Sequence, residues 1–296
     1  MQQIELFRGS ENLDVSALGS TECLDRILGI QRTRWVPYQV GEKTLGRLAH
    51  MADSPASHRP PCLLIYGDTN MGKSVIALKF TKDRNRDIPD TVDHLVRPVV
   101  FIQNPPVADF GALLSFVLLQ LNAPIPATAR IERRLTQVLE LMKAAKVRML
   151  IIDEIHHILV GKADERIRIL NGLKFLSTEL QIPIVLIGTI EAMRTIQTNQ
   201  QLGNRFESFH IPRWENGEEY ARFLSGCGAA TTIGKGAWQS KKFVTRFHSM
   251  AEGMTGETWK LMCKAAEVAL RSERLVIDDA TLDQVDWRRP RDRRRG

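Results

Sequence analysis

The stretch CLLIYGDTNMGKSVIALKF, residues 62–80, decides the fold. Its first five residues are apolar or aromatic, as expected of a strand buried on both faces of a parallel sheet. Gly67-Asp68-Thr69-Asn70-Met71-Gly72-Lys73-Ser74 then fits G-x-x-x-x-G-K-[ST] without a mismatch, and the residues from Val75 onward read as a helix. Glycines at 67 and 72 let the backbone bend so that its N–H groups converge on one point, an anion nest at a helix N-terminus. Lys73 is placed to reach β- and γ-phosphates, and the Ser74 hydroxyl to ligate Mg²⁺. The plainer alternative is a glycine-bearing turn with a solvated lysine. The strand before and the helix after favour the phosphate loop, so residues 67–75 are expected to bind ATP with Mg²⁺.

A second strand supports this reading. Met149-Leu150-Ile151-Ile152-Asp153-Glu154 is an apolar run ending in two carboxylates. Ligands of open α/β sheets collect beyond the carboxyl ends of strands, so this tip is expected to face the phosphate loop. Asp153 suits the Mg²⁺ shell, and Glu154 suits orientation and deprotonation of a water aimed at the γ-phosphate. The pair favours hydrolysis over transfer to a second substrate. The strand 183–187 ends in Gly188-Thr189, whose hydroxyl suits either the γ-phosphate or the N-cap of the helix that follows. Arg205, in QLGNRF at 201–206, reads either as a surface salt bridge or as a group completing a neighbouring subunit's site.

Around these motifs the chain alternates apolar runs with amphipathic segments. Strands are expected at 62–66, 97–103, 148–152, 183–187 and 207–211. Helices are expected at 73–83, 110–121, 131–146, 165–180 and 191–206, with Asp109 and Asp164 as N-caps of the second and fourth. Such alternation argues for βαβ units and an α/β fold built on a parallel sheet. After Pro212 the strand runs stop, and 215–226, 240–252, 256–272 and 278–285 read as helices. Upstream, 12–31 and 40–52 have helical spacing. Leu13, Leu18, Leu24, Ile27 and Leu28 form one apolar face; Leu45, Leu48 and Met51 form the other. The expected domains are an N-terminal helical extension (1–60), an αβα core (61–212), a helical lid (213–286) and a basic tail (287–296).

Composition narrows the class further. Apolar residues make up 43% and charged residues 25% of 296, the balance of a soluble globular chain rather than a collagen or a disordered polymer. Cys23, Cys62, Cys227 and Cys263 stand far apart, which excludes a zinc ribbon and points to reduced thiols. No secretory signal opens the sequence, and no apolar run approaches the roughly 20 residues of a membrane span. A cytoplasmic protein without a membrane partner is expected. The net charge is +7, of which the block WRRPRDRRRG at 287–296 carries +5. A terminal arginine block is usually solvated, with polyanions as its natural partners.

The helix 131–146 offers a second basic surface. Arg130, Arg133 and Arg134 cluster at its start, and Lys143 and Lys146 lie near its end. They read as DNA contacts or as an ordinary solvated face shared with Glu132 and Glu140. No helix-turn-helix or winged helix fits the remaining sequence, so DNA binding is expected through phosphates, with weak sequence preference and strong salt dependence. His156 and His157 follow the acidic pair, but adjacent helical residues do not share a face. They suit a polar surface rather than a metal site.

These pieces, in this order, resemble the AAA+ ATPases, and more closely the TniB/TnsC family of transposition regulators. RTRWVPY at 32–38, LLIYGDTNMGKS at 63–74, MLIIDEIHHIL at 149–159, IPIVLIGT at 182–189, QLGNRF at 201–206 and IPRWENGEEY at 211–220 carry the resemblance. It implies an AAA+ αβα core with a helical lid, ATP bound between protomers, and a homo-oligomer forming rings or helical filaments on double-stranded DNA. It also implies a DDE-type transposase as client and a target-selection protein as recruiter, in some systems an RNA-guided CRISPR effector. Thr189 becomes the sensor threonine and Arg205 the trans-acting finger. Trp35 and Pro37 pack against adenine by the same analogy, or staple the N-terminal segment to the core. One departure stands out: GMTGETWK at 253–260 lacks the arginine that many relatives carry there, with Trp259 and Lys260 in its place. A helicase loader, or a nucleotide-binding scaffold with negligible turnover, remain the rival readings.

Overall fold

Five parallel strands in the order β2-β3-β4-β1-β5 form the sheet of this computed structural model, which describes residues 20–30, 34–86, 95–106, 108–125, 129–156, 162–198, 203–231, 233–272 and 274–293. In chain order the elements begin with α1 (Ser20–Ile30), α2 (Gln39–Asp53), β1 (Cys62–Tyr66), α3 (Lys73–Arg84) and β2 (Val99–Gln103). They continue with α4 (Phe110–Gln120), α5 (Ile131–Ala144), β3 (Met149–Asp153), α6 (Ala163–Leu180), β4 (Ile184–Gly188), α7 (Ile190–Thr198) and β5 (Phe206–His210). Five further helices follow: α8 (Glu218–Ala230), α9 (Lys241–Ala251), α10 (Thr255–Arg271), α11 (Asp279–Asp283) and α12 (Pro290–Arg293). The chain divides into two compact units, which cut across the sequence-derived domain boundaries.

The α/β unit comprises residues 43–69 and 73–212. β1 lies between β4 and β5, with Leu64 opposite Leu186 and Ser208, and β3 pairs with β2 and β4. Every residue of β3 and β4 is buried, as their unbroken apolar runs require of inner strands covered on both faces. β5, at the edge, buries only Phe206 fully. Leu113, Leu114 and Val117 from α4, and Leu173 and Leu176 from α6, pack on the sheet with Leu150, Ile152 and Leu186. Each such fully buried aliphatic side chain is worth about 2 kcal/mol relative to exposure.

The helix ends show where local sequence is sufficient. Asp109 caps α4 as expected, its carboxylate accepting from the N–H groups of Gly111 and Ala112 at 2.9 and 3.1 Å. Asp164, in contrast, lies inside the first turn of α6, which begins two residues earlier than the spacing indicates. Glu165 there accepts from the Lys162 N–H at 3.1 Å. The position of Asp164 still favours the positive end of the helix dipole. α5 stops at Ala144 rather than 146, because Lys146 turns left-handed with φ 53°. α7 is described over Ile190–Thr198; the expected helix ran to 206, but Asn204 and Arg205 form a turn before β5.

The second unit gathers residues 213–293, Asn70–Gly72 and the described residues up to Glu42. Tyr220, Phe243, Phe247, Leu261 and Ala265 build its core, and Ile27 and Ile30 of α1 pack into it. Leu28, expected on the same face, is 61% exposed, because its neighbour Ile27 points into the core and adjacent residues lie about 100° apart around a helix axis. Leu13 and Leu18, and the side chain of Leu24, lie outside the described residues. The arginine block is also not a free tail. The Trp287 indole donates to the Met250 carbonyl at 2.9 Å, Pro290 is buried, and Arg291 pairs with Glu252 at 3.1 Å. Two aromatic or apolar anchors and nearby carboxylates outweigh the block's tendency to stay in solvent. Among the described residues no helix is long and apolar enough to cross a membrane.

Candidate nucleotide site

The loop between β1 and α3 takes its shape from three residues. A side chain on Gly67 would collide with the carbonyl oxygen of Ile211, so only glycine permits that approach. Gly72 has φ 79°, a left-handed conformation that glycine adopts freely. Asn70, at φ 68°, is the residue type that tolerates this region best after glycine. Left-handed residues alternating with right-handed ones turn successive N–H groups toward one side, the nest that binds anions.

Lys73 opens α3 and bends back over the loop, its Nζ donating to the carbonyls of Gly67 at 3.0 Å and Asp68 at 2.7 Å. Burial pulls its pKa below the ordinary lysine value, against the opposing pull of Asp153, Glu154 and Asp68. One residue on, the Ser74 hydroxyl hydrogen-bonds the Asp153 carboxylate. Asp153 is only 5% exposed, and its Oδ1 also accepts the Glu154 N–H at 2.8 Å. Burial raises its pKa above 3.8, a rise the Ser74 and Glu154 hydrogen bonds and the Lys73 charge only partly offset. The structure therefore brings Lys73, Ser74, Asp153 and Glu154 to the carboxyl ends of β1 and β3. A hydroxyl and a carboxylate already in contact, beside a lysine and a nest of N–H groups, are the hard-oxygen donors that suit Mg²⁺ with a triphosphate.

Glu154 stands at φ 57°, left-handed for a residue with a side chain, so the chain turns sharply off β3. Its carboxylate, 36% exposed, lies 2.9 Å from His156 Nδ1. His156 thus meets Glu154 rather than only facing solvent, while His157 lies outside the described residues. Thr189 accepts the Ala192 N–H at 3.3 Å and caps α7, the simpler of its two expected roles. Arg205 donates to Ser177 at 3.3 Å and Thr178 at 3.4 Å, both long bonds to hydroxyls of α6 in its own chain. Its Nε is buried with no hydrogen-bond partner among the described residues.

In the second unit, Trp35 is buried against Tyr38, ring centroids 5.9 Å apart, whereas Pro37 is exposed. Tyr38 also meets Trp214 and Phe223. Its hydroxyl is buried with no hydrogen-bond partner among the described residues and lies, with Thr255, beside Gly72. Burial raises that phenol well above its ordinary pKa. Sequence reasoning passed over Tyr38, because nothing local separates it from Trp35. The proposed DNA residues divide similarly. Arg130, Arg133, Lys143 and Lys146 are exposed, but Arg134 is partly buried and donates to Gly111 at 3.3 Å and Ser115 at 3.2 Å, tying α5 to α4. Among the described residues no three histidines, cysteines or carboxylates converge on a metal position.

A parallel sheet in this order, a phosphate loop after β1 between β4 and the edge strand β5, and an acidic pair at the end of β3, two strands away, define an AAA+ ATPase fold. The model of the bacterial TniB protein family matches residues 26–216. The chain belongs to that family. No curated protein matches it in sequence. Among solved structures it resembles the Aeropyrum pernix ORC1 protein in complex with DNA, at 13% identity and a TM-score of 0.63, over 88% of this chain and 68% of that one. The A. pernix ORC2 protein, solved as ADPNP and ADP complexes, gives 14% and 0.59 over 83% and 65%. Drosophila ORC bound to DNA gives 12% and 0.59 over 96% and 68%. The chain thus spans about two thirds of the length of these structures, and at such identities they speak for the fold alone.

Proposed function

We propose that the chain binds and hydrolyses Mg²⁺-ATP, assembles on double-stranded DNA in the ATP-bound state, and connects target-site selection to a DDE-type transposase. The observation that carries the hydrolytic part is the Ser74–Asp153 contact beside Lys73, with Glu154 next in the chain. Backbone N–H groups of residues 67–74 and the Lys73 ammonium bind the phosphates. Ser74 and Asp153 would hold Mg²⁺, which supplies charge neutralisation on the phosphate oxygens. Glu154 orients the attacking water and accepts its proton, and Thr189 fixes the polar end of β4 near the reacting group. Arg205, released from Ser177 and Thr178, would reach the γ-phosphate of an adjacent protomer.

Membership of the TniB family supports the regulatory part, and the DNA named in the ORC1 and Drosophila ORC structures supports nucleic acid as a partner. Exposed Arg130, Arg133, Lys143 and Lys146 are the α/β unit's share of the DNA surface. ATP hydrolysis then drives release from DNA. ATPase assays with and without duplex, combined with electron microscopy on duplex with a non-hydrolysable ATP analogue, test this reading. A chain that stays monomeric and ignores duplex under saturating Mg²⁺-ATP would refute it.

A second reading, a helicase-loader-like ATPase, is compatible with the fold shared with the ORC structures. Competition between duplex and single-stranded DNA separates the two, since a loader is expected to prefer the single strand. The scaffold reading is disfavoured by the intact Asp153-Glu154 pair.

A further inference from the structure

Asn70 is held from outside its own loop. Its carbonyl accepts the Gly256 N–H at 2.8 Å, and its side-chain amide donates to Glu257 Oε1 at 2.7 Å. A side chain on Gly256 would collide with the Asn70 amide, so Gly256-Glu257 at the start of α10 is shaped to this one residue. The Glu257 side chain is 6% exposed and collects two cations besides. Lys260 Nζ lies 3.4 Å from it, and Arg293 of the terminal turn reaches both of its carboxylate oxygens. Arg293 in turn lies over the Trp287 ring, 4.8 Å from its centroid. Burial alone would raise the Glu257 pKa, but Arg293 and Lys260 outweigh it and keep the carboxylate ionised.

We propose that Glu257 is a positioning residue for nucleotide binding, holding Asn70 in its left-handed conformation, and that Arg293 sets how firmly it does so. The direction of the loop N–H groups depends on the φ angles at 70 and 72, so a residue that fixes Asn70 fixes part of the phosphate nest. Arg293 thereby reaches the loop only at second hand, from the last described turn of the chain. It acts through a carboxylate rather than on phosphate. This inference rests on residues 67–75 being the ATP site.

The test is titration of the full-length chain with a fluorescent ATP analogue and Mg²⁺, alongside steady-state hydrolysis. Asn70→Gly removes the amide yet keeps the left-handed conformation accessible. Asn70→Gly and Glu257→Ala are each expected to raise Kd about five-fold, and the double variant about five-fold rather than about twenty-five-fold. KM should rise with kcat within about two-fold, a split that general destabilisation would not produce. Arg293→Ala should raise Kd about two- to three-fold. Glu257→Gln, similar in shape, should match Arg293→Ala, and it replaces Glu257→Ala if that variant melts early without nucleotide. Wild-type affinity in Glu257→Ala and Glu257→Gln, or multiplicative losses in the double variant, would overturn the proposal, and unchanged affinity in Arg293→Ala would overturn its tail component. A wild-type chain that fails to bind the analogue would instead overturn the ATP reading itself.

Discussion

The Ser74 hydroxyl donates to the Asp153 carboxylate, joining the first turn of α3 to the last residue of β3. This contact links two motifs 79 positions apart in the sequence into one donor pair, and it makes the electrostatics of Asp153 a statement about stability as well as chemistry.

Because burial raises the folded-state pKa of Asp153 above 3.8, the folded chain binds that proton more tightly than the unfolded one. Its contribution is fully favourable below pH 3.8 and is lost as pH rises through the folded value, so at neutral pH the ionised group opposes folding. Asp153→Asn keeps an acceptor for Ser74 and is expected to raise the nucleotide-free melting temperature by about 2 °C at pH 7. The same variant should lose Mg²⁺-dependent hydrolysis. Calorimetry at pH 7 checks the first point; a lower melting temperature would contradict the assigned cause.

Lys73→Ala should abolish nucleotide-dependent DNA coating, removing a half-buried cation that the nest N–H groups cannot replace. Filaments of normal length formed by this variant with ATP, seen by electron microscopy, would break the link between nucleotide and assembly.

Glu154→Gln should bind ATP near wild-type affinity, hydrolyse it at least about 100-fold more slowly, and persist on duplex DNA. Release from DNA at the wild-type rate, followed by fluorescence anisotropy, would remove Glu154 from its role.

For Arg205, mixing distinguishes action across protomers from support of α6. Arg205→Ala and Glu154→Gln should each be inactive alone, while mixed assemblies regain a measurable fraction of turnover at interfaces that combine the intact residues. No recovery, with a lowered melting temperature for Arg205→Ala, would assign the arginine to Ser177 and Thr178.

The basic helix separates by salt dependence. Replacing Arg130 and Arg133 with alanine should reduce the slope of log affinity against log salt by about 2. Arg134→Ala should instead lower stability with little change in slope, because its guanidinium already serves Gly111 and Ser115. Equal slopes in the wild type and both variants would show that α5 does not face DNA.

Much of the α/β unit is legible from local sequence. All five strands lie within two residues of their expected limits, because four of the runs are apolar at nearly every position and have few ways to be buried, while β5 is the short exception. The phosphate loop, Asp153 and Glu154 are legible for the same reason, since each is fixed by neighbours in the chain. What was missed depends on partners distant in sequence. Asn70 and Glu257 are 187 positions apart, and nothing in GMTGETWK announces that its glutamate meets the loop. Tyr38 reads as one aromatic among several until its hydroxyl is found beside Gly72. Leu28 was misplaced by counting apolar residues without respecting the turn of the helix.

The docking of Trp287 and Pro290 changes what a shortened chain would report. Cutting before residue 287 removes six positive charges in one step, yet it also withdraws an indole from the Met250 carbonyl and a guanidinium from Glu257. A truncated protein that no longer holds DNA would therefore be injured in its lid as well as stripped of charge. Point replacement of Arg288 and Arg289, which are exposed, is the cleaner way to ask what the charge alone contributes.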